Sequence, residues 1–324
     1  MLTMTRAVLA AALAGLALPC AGNDALRERL LREGPQGWKE LQAGEQQFVG
    51  SARYEQIDRR EGNVVQHVVS DWKIKRNGDW ILFEWPFDDG LKKRERRHSA
   101  WGRNSTYGFT ASRGSGGQWM LADEVYQDQR IETAYTMASR VGFLRCLRYS
   151  WAIVGTFPLE QVVADPSFKI ESLGEEGQLV RLVFKASIKP TDANVPGELR
   201  GGKLLLDPSL SWAIRECEVI DLDPAYGRSV TYTVDYRVVD SMPWPAKIVE
   251  TMKIAKSQVV TNTTVAFDAP QFVELPESDF QLTALGLPEP VQPKKSTRWW
   301  LWMTIAGGVL LILGIGFLRL RKSR

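Results

Sequence analysis

The sequence predicts a mainly β fold with some helix: one large curved antiparallel sheet, an open half-barrel, that wraps central helices and is followed by a C-terminal transmembrane helix. Three observations predict it. Strand-length segments separated by turn residues follow one another in chain order, a middle stretch shifts from a period of two residues to one near 3.6, and a run of 20 uncharged residues lies close to the end. The 324 residues are 44% hydrophobic and 24% charged, which supports a sizeable core and excludes a disordered chain, a collagen-like chain or a small disulfide scaffold. With only two histidines, His67 and His98, and three cysteines, His- or Cys-rich metal sites and most His-based catalytic arrays lack ligands, so no metal or cofactor is expected.

The chain opens with Arg6 and the twelve apolar residues 7–18, then Pro19, Cys20, Ala21 and Gly22. As a helix this stretch rises only about 18 Å, against the roughly 30 Å of a hydrocarbon core, so residues 1–22 read as a secretory signal peptide rather than an anchor. Ala17-Leu18-Pro19 before Cys20 departs from a lipobox, which disfavours lipidation. An extracytoplasmic β domain is expected over residues 23–286. It begins with a short amphipathic helix at 25–32 that stops at Gly34-Pro35.

Strand signals follow at 46–57, 64–75, 79–87, 92–101, 106–112 and 118–122, with Arg60-Glu61-Gly62-Asn63, Asn77-Gly78, Asp88-Asp89-Gly90 and Arg103-Asn104 between them. Asn77-Gly78 is the strongest turn, because a type I′ turn needs positive φ at both central positions. Ile131, Tyr135, Ala138, Val141, Leu144 and Tyr149 then recur at a helical rhythm, which places one or two helices between Tyr126 and Val154. After Asp165-Pro166 strands resume at 168–173, 178–188, 202–206, 212–220, 229–239, 246–255 and 259–267. Strands of ten or more residues favour one curved sheet over a two-sheet sandwich, whose strands usually run to about five or six.

Proline-rich residues 287–298 form a tether that reaches roughly 35 Å when extended. Residues 299–318 carry no charge and are long enough for a membrane span, with Trp299, Trp300 and Trp302 as an interfacial belt and Arg319, Arg321, Lys322 and Arg324 in a cytoplasmic basic tail at 319–324. The expected topology is a single-pass protein of the inner (cytoplasmic) membrane, its folded domain in the periplasm or outside the cell and its C-terminus in the cytoplasm. The two ends hold 8 of the 41 basic residues and none of the 38 acidic ones, which leaves 33 basic against 38 acidic residues, a net charge of −5, in the domain between them. The overall positive charge of +3 therefore belongs to the membrane-targeting ends and gives no support to nucleic-acid binding.

A short N-terminal helix, a long meander, central helices and a second meander, together with Gly202-Lys203-Leu204-Leu205-Leu206-Asp207-Pro208 followed by Trp212-Ala213-Ile214, resemble the LolA/LolB fold of periplasmic lipoprotein carriers. The N-terminal domain of the sigma-factor regulator RseB is similar. The resemblance covers residues 24–279 and implies an incomplete barrel closed over helices, with an apolar cavity for acyl chains. The ending Phe280-Gln281-Leu282-Thr283-Ala284-Leu285-Gly286-Leu287-Pro288 is similar to that of a group of membrane-anchored bacterial proteins. Soluble LolA carriers have no such anchor, so shuttling between membranes is not expected of an anchored relative.

The strand at 79–87 carries Trp80, Ile81, Leu82, Phe83, Trp85 and Phe87, so both of its faces are apolar and both need cover. Burial by the protein's own helices is one reading, and an acyl-binding cavity is the other, with Trp72, Ile74, Tyr232, Val234 and Tyr236 as further wall candidates beside Trp80, Leu82, Phe83 and Trp85. Lys92, Lys93, Arg94, Arg96, Arg97 and His98 form the densest basic run, read either as a seat for anionic head groups or an acidic partner, or as solvated charge that protects an edge strand. Asp88-Asp89, Asp123-Glu124 and Glu175-Glu176 are carboxylate pairs without a second motif nearby, and Gly-x-Ser-x-Gly, Walker A and His-Glu-x-x-His are absent, so an enzyme is not expected. The favoured function is a non-catalytic, membrane-tethered domain that binds an acyl chain, lipid or lipoprotein; the alternative is an envelope scaffold or sensor that binds another exported protein. Cys146 and Cys217 remain after signal removal, and a bridge between them in an oxidising compartment is weighed against two separate buried thiols.

Overall fold

A computed structural model describes residues 20–87, 97–114, 117–126, 143–190, 197–223 and 226–290. The chain divides into two compact units, Met1–Leu287 and Pro288–Arg324, and the fold below is that of the first. The expected signal segment before residue 20 and the uncharged stretch at 299–318 lie outside the described residues. Among the described residues no helix is long and apolar enough to cross a membrane.

Helix α1 (Cys20–Gly44) leads into strands β1 (Gln47–Arg60), β2 (Asn63–Asn77), β3 (Trp80–Phe87), β4 (Arg97–Arg103), β5 (Gly108–Arg113) and β6 (Met120–Tyr126). Then come helix α2 (Phe143–Leu147), a 3-10 turn (Arg148–Ser150), the two-residue strands β7 (Ala152–Ile153) and β8 (Phe157–Pro158), and helix α3 (Leu159–Ala164). The second meander comprises β9 (Lys169–Glu176), β10 (Leu179–Ile188), β11 (Leu199–Asp207), β12 (Ala213–Asp223), β13 (Arg228–Val239), β14 (Met242–Ile254) and β15 (Val259–Phe267). All strands but β7 and β8 form one 13-stranded sheet in the order β6-β5-β4-β3-β2-β1-β15-β14-β13-β12-β11-β10-β9. The expected sheet of sequence-adjacent antiparallel strands is present, it is not closed into a barrel, and the pairing of β1 with β15 is what joins the two meanders. Among the described residues the other sheet is only the two-stranded β7–β8 pair, so the strands form one large sheet and not the two of a sandwich.

Two local expectations are corrected. The hairpin between β2 and β3 pairs Asn77 with Trp80, so its central residues are Gly78 and Asp79, and only Gly78 has a positive φ, 60°. That is the φ pattern of a type II′ turn, not type I′. Asn77 stays in the ladder because its side chain is engaged elsewhere: Nδ2 donates to the Leu275 carbonyl at 2.7 Å, and Oδ1 accepts from Gln47 at 3.1 Å. Glu61 and Gly62, at φ 52° and 84°, are the pair that adopts the I′ pattern.

The first helix does not stop at Gly34-Pro35 but runs to Gly44, with Pro35 inside it. A proline in a helix interior costs about 3 kcal/mol. The cost is offset by what the later turns bury, namely Trp38 and Leu41, which continue the inward side begun by Leu26 and Leu30. Trp38 also donates its indole N–H to the Trp212 carbonyl at 2.9 Å. Close approach explains Gly37, where a Cβ would lie 2.4 Å from the Ser211 carbonyl oxygen.

In the middle of the chain the expected helix reaches Leu147 and then gives way to the 3-10 turn and the β7–β8 hairpin, whereas the expectation ran to Val154. Trp151, Ala152, Ile153 and Val154 are all buried, and a run buried on every side carries no period that separates helix from strand. Most of the expected segment, residues 127–142, lies outside the described residues.

Helices α1, α2 and α3 and the β7–β8 hairpin contribute to one large core with the sheet, and the sheet face that meets them is called the inner face here. The opposite face of β3–β5 has its own smaller core, in which Leu82, Ala100, Tyr107, Phe109 and Ala111 are covered by Phe280 and Leu282 from the segment after β15. That segment turns through two short 3-10 stretches, Glu277–Phe280 and Leu282–Leu285. Asn104 Nδ2 donates to the Phe280 carbonyl at 3.3 Å, and the Leu282 N–H donates to the Tyr107 hydroxyl at 3.0 Å.

Candidate functional site

Strand alternation fixes which side chains reach the inner face. On β1 these are Phe48, Gly50, Ala52, Tyr54, Gln56 and Asp58, passing from fully buried at Phe48 to half-buried at Tyr54, Gln56 and Asp58. Register carries the same face into β2 and β3, since Ala52 pairs with Trp72, Gly50 with Ile74, and Ile74 with Phe83. An aromatic run results. Tyr54 stacks on Trp72 at 4.4 Å between ring centroids, Trp72 meets Phe83 edge-on at 5.8 Å, and Phe83 stacks on Trp85 at 4.8 Å. Trp72 is buried, whereas Tyr54, Phe83 and Trp85 are only partly covered.

The structure divides the nine sequence-derived wall candidates. Trp72, Ile74, Tyr232 and Val234 are buried in the main core, while Phe83, Trp85 and Tyr236 are partly buried and pack against it. Trp80 and Leu82 point the other way, into the smaller core, so they share no wall with the rest. The apolar character of both faces of β3 is thus explained by two separate cores, the second covered by the chain's own residues 275–287. Among the basic candidates, Lys92, Lys93, Arg94 and Arg96 lie outside the described residues, and Arg97 begins β4, paired with Phe87. The described part of the strand expected at 92–101 begins at Arg97 and runs to Arg103.

A polar group that the sequence reading did not single out lies on the inner face beside the aromatic run. One row of paired residues reads Leu182, Leu204, Cys217, Tyr232, Glu250, Thr263, Gln56 and Val68 across β10, β11, β12, β13, β14, β15, β1 and β2. Glu250, 5% exposed, accepts from the Tyr149 hydroxyl and pairs with Arg145 at 3.4 Å. Both partners come from the short helical stretch laid over the sheet, so a buried carboxylate fastens that stretch to β14. Burial, joined by the neighbouring Glu250 charge, raises the Tyr149 phenol well above its ordinary range, so the hydroxyl remains a donor. The signal that would have revealed Glu250 is its phase: it occupies the apolar alternation of Ile248 and Met252, as Gln56 and Asp58 occupy that of Ala52 and Tyr54.

Cys146 and Cys217 are both buried and both free, so the bridge considered for them is not formed. Cys217 lies beside its pairing partner Tyr232, whose ring stacks on Tyr149 at 4.4 Å. Burial pushes each thiol up to about 12, which keeps them neutral and poorly nucleophilic. At the junction of α1 with β1, Glu45 accepts from the Trp151 indole at 2.9 Å, and burial lifts its carboxyl to about 7. Among the described residues no group of three or more His, Cys, Asp or Glu side chains is placed to hold a metal ion. Asn104, the first residue of an Asn-Ser-Thr sequon, is buried and uses its Oδ1 to accept from the backbone of Thr106 and Tyr107.

By sequence, no family model and no curated protein matches the chain. Solved structures similar to it include a DUF1329 family protein from Desulfovibrio piger, at 8% identity and a TM-score of 0.44 over 79% of this chain and 98% of that one. A putative outer membrane lipoprotein-sorting protein domain from Vibrio parahaemolyticus matches at 15% identity and 0.43, over 79% and 100%. A LolA superfamily protein from Nitrosomonas europaea matches at 11% and 0.43, over 78% and 96%. The carrier superfamily that the element order resembles is thus present among the similar structures, while the chemistry of the inner face rests on this chain's own residues.

Proposed function

We propose that this protein is a membrane-tethered extracytoplasmic domain that binds an acyl chain, a lipid or a lipoprotein on the inner face of its sheet, without catalysis. The observation that carries the reading is the run of Tyr54, Trp72, Phe83 and Trp85, which meet ring to ring by stacked and edge-on contacts while three of the four stay partly uncovered on the face that also meets the helices. Aromatic surface of this kind gains about 0.8 kcal/mol for each methylene group it helps to take out of water, so an alkyl chain of ordinary length is an adequate ligand. The described face offers apolar contact and hydrogen bonds, and the thiols of Cys217 on it and of Cys146 on α2 are neutral, which suits binding rather than chemistry. Residues 1–22 supply the export signal and residues 299–318 the tether in this reading. Native mass spectrometry of the purified protein, before and after incubation with phospholipid, tests it. Adducts with the mass of a lipid or acylated peptide, lost in a Trp72→Ala, Trp85→Ala double variant, are expected; a protein that carries and takes up none overturns the reading.

A further inference from the structure

The inner face is apolar on most strands at the level of Tyr54, yet four polar residues interrupt it as a block. Gln56 pairs directly with Thr263, and Asp58 with Thr261, so β1 and β15 together present two amide or carboxylate groups and two hydroxyls in adjacent register positions. Their neighbours on the same face are, on β2, Val68 beside Gln56 and the exposed Gln66 beside Asp58, and on β14 Met252, which pairs with Thr261, and Glu250, which pairs with Thr263. Glu250 is accounted for by its Tyr149 and Arg145 partners, but no helix residue is hydrogen-bonded to Gln56 or Asp58 among the described contacts. Instead those two side chains form a relay that starts from the aromatic run: the Tyr54 hydroxyl donates to Gln56 Oε1, and Gln56 Nε2 donates to both Asp58 oxygens at 3.1 and 3.2 Å.

The relay sets the polarity of the block. Gln56 Oε1 accepts from Tyr54 and its amide donates to Asp58, so the largest acceptor capacity left is that of the Asp58 carboxylate, which among the described residues takes one donor of the four or so it can hold, beside a remaining lone pair on Gln56 Oε1. It is the one charge in the block and it is negative; the next residue out on this face of β1, Arg60, is exposed to solvent. Of the two threonine hydroxyls beside it, both mostly buried, that of Thr263 is hydrogen-bonded to Tyr54 and that of Thr261 can donate or accept. An anionic head group would meet a like charge here, whereas a group that brings N–H or O–H donors would find acceptors in a partly desolvated setting, where such bonds discriminate most. Proximity does the rest, because the stacked rings of Tyr54 and Trp72 begin at the other end of the same relay.

We infer that Gln56, Asp58, Thr261 and Thr263 form a head-group subsite, and that the ligand is an amphiphile whose uncharged or cationic head donates hydrogen bonds while its alkyl chain lies along Tyr54, Trp72, Phe83 and Trp85. The inference rests on the lipid-binding reading above and adds the chemical class of the head. The test uses the full chain in phosphatidylcholine nanodiscs and two photoreactive probes with the same diazirine-bearing twelve-carbon chain, one ending in an ethanolamide and the other in a carboxylate. Crosslinked peptides are then quantified by mass spectrometry. The ethanolamide is expected to label the peptides that contain Trp72 and Trp85 at least fivefold more than the carboxylate. An Asp58→Asn variant, which keeps the size of the side chain, is expected to shrink that ratio at least threefold while total labelling persists. Equal labelling by both probes, or a preference for the carboxylate, overturns the subsite and leaves the lipid-binding reading in place. No labelling of these peptides by either probe overturns both.

Discussion

Glu45 takes its carboxyl into the junction of α1 and β1, where burial raises its pKa from 4.5 to about 7 against the opposing pull of the Trp151 indole and of Arg76 and Arg148. A raised carboxylate pKa means that the folded state holds the proton more tightly than the unfolded chain. Below about pH 4.5 both states are protonated and the site costs nothing; between 4.5 and 7 stability falls as the pH rises, and above 7 the whole penalty is present. At 1.36 kcal/mol per pKa unit the penalty is on the order of 3 kcal/mol. Urea titrations of Glu45→Gln are therefore expected to match the parent near pH 4.5 and to exceed it by about 2–3 kcal/mol at pH 8, because glutamine keeps the acceptor for Trp151 and loses the charge. An equal pH slope in parent and variant would show that the carboxyl is ionised freely in the folded state. Tyr149→Phe acts oppositely: it leaves the buried Glu250 carboxylate with Arg145 and no hydroxyl donor, at an expected cost of about 1–3 kcal/mol in the same titration. The thiols give a simpler outcome. Alkylation without reduction is expected to label Cys146 and Cys217 together, and only after unfolding, since both are free, buried and neutral.

At the level of elements, α1 is where sequence pattern and structure part most clearly. Pro35 and Gly34 are local stop signals, and they are overridden by burial that becomes visible only when Trp38 and Leu41 are placed against β9, β12 and β14. Pro35→Ala is accordingly expected to raise the melting temperature, by restoring a helical N–H at a half-buried position, whereas Gly37→Ala should lower it, because its new Cβ meets the Ser211 backbone at 2.4 Å. Strands were legible for a different reason. Each of the thirteen sheet strands keeps a period of two or a turn signal at its end, and turns such as Glu61-Gly62 are encoded within a few residues. What depends on distant partners was not legible: the Gly78-Asp79 register, set by Asn77 reaching Leu275, and the opposed orientations of Leu82 and Phe83 toward two different cores. The candidate site shows the same division. Its aromatic half stands out in composition, while Glu250, Gln56 and Asp58 look like ordinary solvated residues until the register places them on the inner face.

For the folded unit as a whole, the residues after β15 decide how its first meander is completed. They cross from a single bridge between Gln271 and Val49 to the outer face of β3–β5, and there Phe280 and Leu282 fill the apolar space above Leu82, Phe109 and Ala111. Gly102 belongs to the same arrangement, because a Cβ there would fall 2.2 Å from the Phe109 ring. Without this cover β3 would expose Trp80 and Leu82 on one face while burying Ile81 on the other, a surface that invites association. The segment therefore links the position at which the chain leaves the domain to the stability of the strands that carry Phe83 and Trp85. Phe280 is fully buried, and its replacement by alanine removes a ring from a small core that has few other contacts to compensate, at an expected cost of about 3–5 kcal/mol. The loss should be local in its first effects. Hydrogen exchange in Phe280→Ala is expected to accelerate at the backbone amides of β3, β4 and β5, while β11–β14, which draw their burial from the main core, keep the protection of the parent. Uniform acceleration across all thirteen strands would instead show that the two cores open as one unit, and unchanged exchange in β3–β5 would show that the segment is not what covers them.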